Sequence, residues 1–553
     1  MARINRISVK GYRSIKDEVE IDFPHNSPLI LLGENNSGKS NIVKAVEIVL
    51  GEMWPGSREP EDHDYWNREC TNGKIEIEVE FEGLSYVDYR GGETRVDSFF
   101  WHCDPTNLEN KIHYRASTDN GTKPINNELR NNCVCIVLDA DRRLNYQLSY
   151  TSKYTLLSKL MRRFHSSLIS NEARIENLKE KFADIVEIFH EVEEFANFKR
   201  GLSDEFADML KAMSYSLEID FSAYDPSNFF HSLRLYPKEA SAVRTFDELG
   251  TGQEQLLALS FAHAYAKAFF GGIVLIIEEP EAHLHPLAQE WLARTMRKMS
   301  KDGLQIILTT HSPSFVHIKD LDGLVLVRKR ENATRVKQIS AEDLTEYCVQ
   351  HGASEDRTNV ETILPFYHSS ATKDITAGLF SKKIILVEGP TESLALPVLF
   401  YKVGLDVYKE GIAIIPVFGK GNFAKWWRFF NAYQIPTYVI FDNDNRDDQN
   451  QDKRKDFLLT LGIAEDDIIE IVGTSDWDVR SNYCVFGMDF EATCRGNFDG
   501  YPELEEQARS EIGEAKPLVA RYVAIKLTVD GSTGWSKMRE LKELVLGITA
   551  DQD

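Results

Sequence analysis

Two kinds of chemistry are legible in short stretches of this chain, one directed at phosphate and one at divalent cations. Gly33-Glu34-Asn35-Asn36-Ser37-Gly38-Lys39-Ser40 fits the pattern G-x-x-x-x-G-K-S. Glycines there let backbone N–H groups wrap a phosphate at a helix N-terminus, Lys39 brings a point charge to the β- and γ-phosphates, and the Ser40 hydroxyl can ligate Mg²⁺. Gly33, Asn35, Asn36, Ser37, Gly38 and Asn41 complete the candidate nucleotide-binding set. Such a loop needs an acid at the end of a buried strand, and Ile273-Val274-Leu275-Ile276-Ile277-Glu278-Glu279-Pro280 offers two. Glu278 would stand beside Mg²⁺, and Glu279 would orient and deprotonate an attacking water.

The second set is entirely acidic. Ile384 to Val387 is an apolar run ending in Glu388-Gly389-Pro390-Thr391-Glu392; Tyr438 to Phe441 ends in Asp442-Asn443-Asp444; and Phe486-Gly487-Met488 leads into Asp489-Phe490-Glu491. Alternate residues of an extended segment project the same way, so each pair can share a cation. Taken singly, each pair reads more readily as a solvated strand end than as a ligand set. Together, six acids at strand ends would repel one another without one or two Mg²⁺ or Mn²⁺ ions, and two such ions can stabilise both oxygens of a phosphodiester displacement. A calcium loop at Asp442 is excluded, because Asp447 stands where that motif requires glycine.

Positioning these residues takes alternating strands and helices. The start alternates as a hairpin (Ile4, Ile7, Val9; Val19, Ile21, Phe23), Pro28 to Leu32 is a buried strand, and Ser40 to Leu50 has helical spacing. Short β-like runs follow from about 74 to 137. From about 152 to 216 apolar residues recur at gaps of three and four (Ile175, Leu178, Phe182, Ile185), which predicts a helical insert. Strands return at Ile273 to Ile277, Ile306 to Leu308 and Leu324 to Val327, and a polar passage from His351 to Asp374 reads as a linker before a second alternating series.

Composition sets the outer bounds. A chain of 553 residues with 42% hydrophobic and 27% charged residues is globular and has room for two to four domains. With 64 Lys and Arg against 87 Asp and Glu, the net charge of −23 excludes a protein that coats nucleic acid or anionic membrane through bulk positive charge. Any nucleic-acid contact must be local. No apolar run spans a bilayer and Met1 to Lys10 lacks a secretory core, so a cytoplasmic protein with no membrane partner is expected. Seven scattered cysteines match no zinc pattern and read as buried, reduced thiols.

Several stretches resemble known families. Leu249-Gly250-Thr251-Gly252-Gln253-Glu254-Gln255 resembles the signature loop of ABC-type ATPases, and Thr309-Thr310-His311-Ser312 their switch-histidine segment. Glu278 to Pro286 is close to the form seen in the structural-maintenance, RecF-like and OLD-type branch. The pattern strand-E-G-x-x-E followed by strand-D-x-D resembles the Toprim domain, and an ABC-type ATPase followed by Toprim is similar to the OLD (overcoming lysogenization defect) nucleases.

The resemblance implies an α/β chain: an ATPase lobe at 1–150, a helical dimerisation insert at 151–220, a second ATPase lobe at 221–370 and a Toprim domain, with a Rossmann-like parallel sheet, at 371–553. It implies ATP and Mg²⁺ (or Mn²⁺) as cofactors, and a head-to-tail homodimer or higher homo-oligomer in which Gly252 and Gln253 complete the partner's γ-phosphate site. His311 would sense that phosphate. Glu388, Glu392, Asp442, Asp444, Asp489 and Glu491 would hold metal, with Lys516 as catalytic lysine. Gly419-Lys420-Gly421-Asn422 matches a glycine turn near the active edge and is read as structural. The signature departs from the common Ser-Gly-Gly form, and no Q-loop glutamine can be placed. The implied activity is a metal-dependent DNA endonuclease or nickase controlled by ATP, acting in bacterial defence against phage as in Gabija systems and retron-attached effectors, with a helicase or reverse-transcriptase partner in some arrangements. The alternative is an ATP-gated DNA-binding clamp without nuclease activity.

Overall fold

The computed structural model describes residues 2–138 (except 52, 88–91, 108–110, 127–128 and 131), 273–444 and 451–550, with short stretches between 171 and 264. Most of the insert expected at 151–220, and the signature segment with Gly252 and Gln253, lie outside the described residues. The chain divides into two compact units, 1–138 with 271–553, and 139–270. Within the second, a short helical stretch at 172–177 and a small hairpin, β10 (Lys238–Glu239) with β11 (Ala242–Val243), are described.

The first unit opens on an antiparallel sheet of β1 (Arg3–Lys10), β2 (Val19–Asp22), β4 (Ile75–Glu82), β5 (Ser85–Val87), β6 (Glu93–Cys103), β7 (Ile112–Thr118) and β8 (Gly121–Pro124). Its strands alternate because one face is dry: Ile75, Ile77, Val79 and Phe81 of β4 point into the core while the glutamates between them face out. The expected hairpin is β1 against β2, with Ile7 opposite Ile21.

Against it packs a six-stranded sheet of order β15-β14-β3-β13-β12-β9, made of β3 (Leu29–Leu32), β9 (Val134–Leu138), β12 (Ile273–Glu278), β13 (Gln305–Thr310), β14 (Leu324–Arg330) and β15 (Ala333–Gln338). All but β15 run parallel, and β3 and β13 are buried along their whole length because both faces are covered, β3 as a continuous apolar run and β13 with an apolar centre, Ile306 to Leu308. Because Leu32 pairs with Thr310 and Thr309 with Glu278, the glycine loop, His311 and the two strand-end acids leave the sheet at one edge.

A five-stranded sheet carries the second acidic set, in the order β17-β16-β18-β20-β19: β16 (Lys383–Val387), β17 (Ile412–Pro416), β18 (Thr437–Asp442), β19 (Asp478–Val479) and β20 (Tyr483–Phe486). The first four in that order are parallel and only the edge strand β19 runs against them. The passage read as a linker is more structured than expected. Helices Val360–His368 and Lys373–Gly378 fill much of it, capped by Asn359 and Thr372 and burying Ile363, Tyr367 and Ile375. Those few apolar residues, one per helical turn, were outweighed in the sequence by polar neighbours. All seven cysteines are free thiols, six of them buried. Among the described residues no helix is long and apolar enough to cross a membrane.

Candidate functional sites

The nucleotide loop is shaped by what its glycines allow. Gly38 has φ +112°, and a Cβ there would meet Thr334 Oγ1 at 2.1 Å, so only glycine fits before the helix Lys39–Leu50. Lys39 Nζ, buried, donates to the carbonyls of Gly33 (2.9 Å) and Glu34 (2.8 Å). Burial pulls its pKa down to about 8, against the opposing pull of Glu279, Glu281 and Glu34. Ser40 Oγ donates to Glu278 Oε2 at 2.7 Å, joining the hydroxyl and the carboxylate expected beside Mg²⁺. Asn41 Nδ2 donates to Ser14 Oγ, while Asn35 and Asn36 are exposed on the loop and Ser37 is buried in it. Glu279 takes a left-handed backbone, φ +46°, and its Oε1 lies 3.8 Å from His311 Nε2. The His311 pKa is lowered, first by burial and then by Lys39. Glu281, which the sequence did not single out, accepts the His311 backbone N–H at 2.5 Å; its place in the loop after the strand-end acids was the available signal.

The acidic edge is set by register. Val387 pairs with Pro416, Leu386 with Val439 and Asp442 with Phe486, so the segments bearing Glu388, Asp442 and Asp489 leave the sheet on the same side. Glu388 is held above the ordinary carboxylate range by burial, with Lys420 opposing. Glu392 opens the helix Pro390–Lys402, accepts the Gly389 N–H at 3.0 Å, and is raised to about 7 by burial, with Glu388 and Glu491 adding to the rise. Asp442 is pushed well up by burial, then by Glu392 and Glu388. Asp444 follows with φ +45°, its N–H bonded to Met488 O. Between them the fully buried Asn443 donates to the carbonyls of Ile471, Val472 and Thr474, pinning the turn.

Glu388, Glu392, Asp442, Asp444 and Glu491 thus feel one another's charge. Asp489 caps the helix Phe490–Asn497 by accepting the Ala492 N–H, and with Glu491 and Asp442 it acts on the buried Cys494 thiol. Lys516 stands exposed with Nζ 3.9 Å from Glu491 Oε1. Lys420, read from the sequence as part of a structural turn, has its ammonium against Glu388 (3.1 Å) and Asp444. Arg454, 2% exposed, donates to Asn443 O and lowers the Glu388 pKa. Nothing in the sequence around either residue says where its side chain points.

The donors suit a hard divalent cation. They are all oxygens, and Asp442 Oδ1 is buried with no hydrogen-bond partner. Among the described residues, however, no three acidic, histidine or cysteine side chains already stand close enough to hold an ion.

Comparison with known proteins follows the same division. Residues 379–444 match a family model described as "Overcoming lysogenization defect protein-like, TOPRIM domain", and residues 3–154 and 105–316 match an AAA ATPase domain model. An OLD nuclease of Thermus scotoductus is 28% identical over 80% of this chain and 82% of its own length. The Old nuclease of Escherichia phage P2 is 30% identical over 34% of this chain and 30% of its own length. Endonuclease GajA of Bacillus cereus is 22% identical over 93% of this chain and 86% of its own. With the ATPase match extending over more than half of the residues and the Toprim match covering the strands that carry Glu388 and Asp442, the chain belongs to the OLD family of ATPase–Toprim nucleases.

Proposed function

We propose that this protein is a DNA endonuclease or nickase dependent on Mg²⁺ or Mn²⁺, gated by ATP at the Lys39 loop, and serving in defence against phage. The observation that carries the reading is Asp442: a buried carboxyl with an unpartnered oxygen, crowded by Glu388 and Glu392 at the carboxyl edge of a parallel sheet. Without a cation such a group is a net cost to the fold. Glu388, Glu392, Asp442, Asp444, Asp489 and Glu491 would hold one or two divalent ions, which when bound supply Lewis-acid activation and charge stabilisation at a phosphodiester. Lys516 is exposed at the rim and would meet negative charge on the phosphate.

At the other site Lys39 would bind the β- and γ-phosphates, Ser40 and Glu278 would flank Mg²⁺, Glu279 would hold the attacking water and His311 would face the γ-phosphate. A second copy of the chain would complete this site through Gly252 and Gln253. Gating has a physical route. A cavity of about 340 Å³ is lined by Gly33 to Ser37, by Leu326 to Arg330 and by Leu379 to Lys382, and Arg328 donates across it to Ser381 O, two residues before β16. Glu388 follows the far end of that strand.

The test is supercoiled plasmid incubated with the protein and Mg²⁺ or Mn²⁺, with and without ATP. Nicked or linear product from the wild type, lost in Glu388→Ala, is the expected result. Cleavage that survives Glu388→Ala sinks the assignment; ATP-dependent retention of DNA with no cutting in either metal favours the clamp.

A further inference from the structure

Lys420 is 6% exposed, and its side chain runs inward rather than out to water, the reverse of how a surface lysine behaves. The segment that carries it is tightly fixed. Val417 N–H donates to Val387 O (2.9 Å) and Phe418 N–H to Glu388 O (3.0 Å), so the turn is tied to the strand end that bears the first acid. Asn422 Nδ2 donates back to Val417 O at 2.8 Å. The helix Phe423–Ala432 that follows is buried at every position. Gly419, with φ +123°, makes the bend between the two.

From this anchorage the Lys420 ammonium reaches Glu388 Oε2 at 3.1 Å and contacts Asp444 Oδ2. These carboxylates follow two different strands, and a cation shared by both must lie between them, where the ammonium now is. A buried ammonium is tolerated only when paired, and a buried acid cluster only when its charge is offset; each solves the other's problem.

We propose that Lys420 is the resident counter-ion of the metal centre, holding the place between Glu388 and Asp444 and exchanging with the divalent cation when the centre is loaded. This rests on the metal-centre reading above. Lys420 is therefore a positioning residue that sets metal affinity, rather than part of a structural turn alone.

The experiment is calorimetric titration of Mn²⁺ into the full chain, comparing wild type, Lys420→Met and Asp442→Asn, with the melting temperature of each metal-free protein. Lys420→Met should bind Mn²⁺ at least about tenfold more tightly, because no ammonium has to leave, and should melt lower without metal and recover with it. Unchanged or weaker Mn²⁺ binding in Lys420→Met, while wild-type binding is lost in Asp442→Asn, overturns the proposal and leaves the metal centre standing. Wild-type protein that binds no Mn²⁺ overturns both. Acetic anhydride labelling of the wild type, read by mass spectrometry, needs no variant. Lys420 acetylation should rise several-fold on adding Mn²⁺ while Lys10, far along the sequence, stays constant; an unchanged Lys420 rate counts against exchange.

Discussion

Each of the two sites keeps a buried lysine at the carboxyl edge of a parallel sheet, and the two lysines are held in opposite ways. Lys39 is pinned by neutral carbonyls of its own loop, and burial drags its pKa down to about 8. Lys420 is pinned by carboxylates, and although burial pulls downward, Asp444 and Glu388 lift its pKa above the ordinary lysine value. One ammonium is bonded to carbonyls and feels Glu279, Glu281 and Glu34 only from a distance, which would leave it ready for an anion; the other touches its counter-charges directly. Each edge also carries an acid with a left-handed backbone, Glu279 at φ +46° and Asp444 at +45°, a strained geometry that a folded protein retains where the side chain must be aimed. On the proposed reading the same architecture would make an anion receptor in one place and a cation receptor in the other, and the difference would lie in what faces the lysine.

The largest expected effect is at Asp442. Asp442→Asn should lower plasmid cleavage by roughly 100-fold or more, since even residues behind a metal ligand commonly cost 10- to 100-fold. The metal-free melting temperature should stay level or rise, because an unpartnered buried acid is removed. Loss of both activity and stability would make Asp442 a structural residue and break the comparison. Next in size, Lys39→Met should weaken ATP binding about 100-fold, the ~3 kcal/mol of a charged hydrogen bond in a dry site, as read by fluorescent-nucleotide titration. An unchanged affinity would mean the loop does not receive phosphate through this group.

The two sites should also respond to pH with opposite slopes. Glu392 is raised to about 7, chiefly by burial, so the fold favours its neutral form. That contribution to stability is complete below the ordinary carboxylate pKa and is lost as pH rises through about 7. Metal binding needs the ionised form, so Mn²⁺ affinity should climb up to about tenfold per pH unit between about pH 5 and 7 and then level off. Lys39 is depressed to about 8, and phosphate needs it charged. ATP affinity should be flat below pH 8 and fall above it. Titrations of each ligand across pH 5 to 9 decide the matter; parallel slopes would remove the contrast.

How much of this was legible in the sequence follows from how local each signal is. The glycine loop, the strand ending in Glu278 and Glu279, and the strand-end acids at Glu388 and Asp442 are written in contiguous residues, and parallel strands then bring their ends to one edge by topology alone. Lys420 and Arg454 were not legible as site residues. Their roles depend on a side chain reaching another segment, and G-K-G-N shows only that the chain turns. The helix Val360–His368 was missed for a related reason: Ile363 and Tyr367 bury one narrow stripe under a loop-like composition.

The smallest predicted effect tests whether the two regions communicate at all. The first glycine of the nucleotide loop is pressed against β14, since a Cβ on Gly33 would lie 2.1 Å from Val327 O. The next residue, Arg328, donates to Ser381 O, and Lys382 Nζ stands 4.0 Å from Glu34 Oε1. Arg328 is buried enough that its pKa is pulled down to about 10, with Arg330 adding to the fall and Glu34 opposing it. A desolvated guanidinium bonded to the backbone ahead of β16 will register a shift of the loop more faithfully than a solvated one, because water cannot substitute for the lost contact. Arg328→Ala should therefore leave ATP affinity and ATP-free cleavage within about threefold of wild type. It should shrink the effect of ATP on cleavage by the 0.5–2 kcal/mol typical of coupling residues, roughly 2- to 30-fold. Arg328→Lys, which keeps the charge but not the planar fork, should fall between. If ATP changes cleavage equally in all three proteins, the anion receptor and the cation receptor work independently, and the Arg328–Ser381 contact serves packing alone.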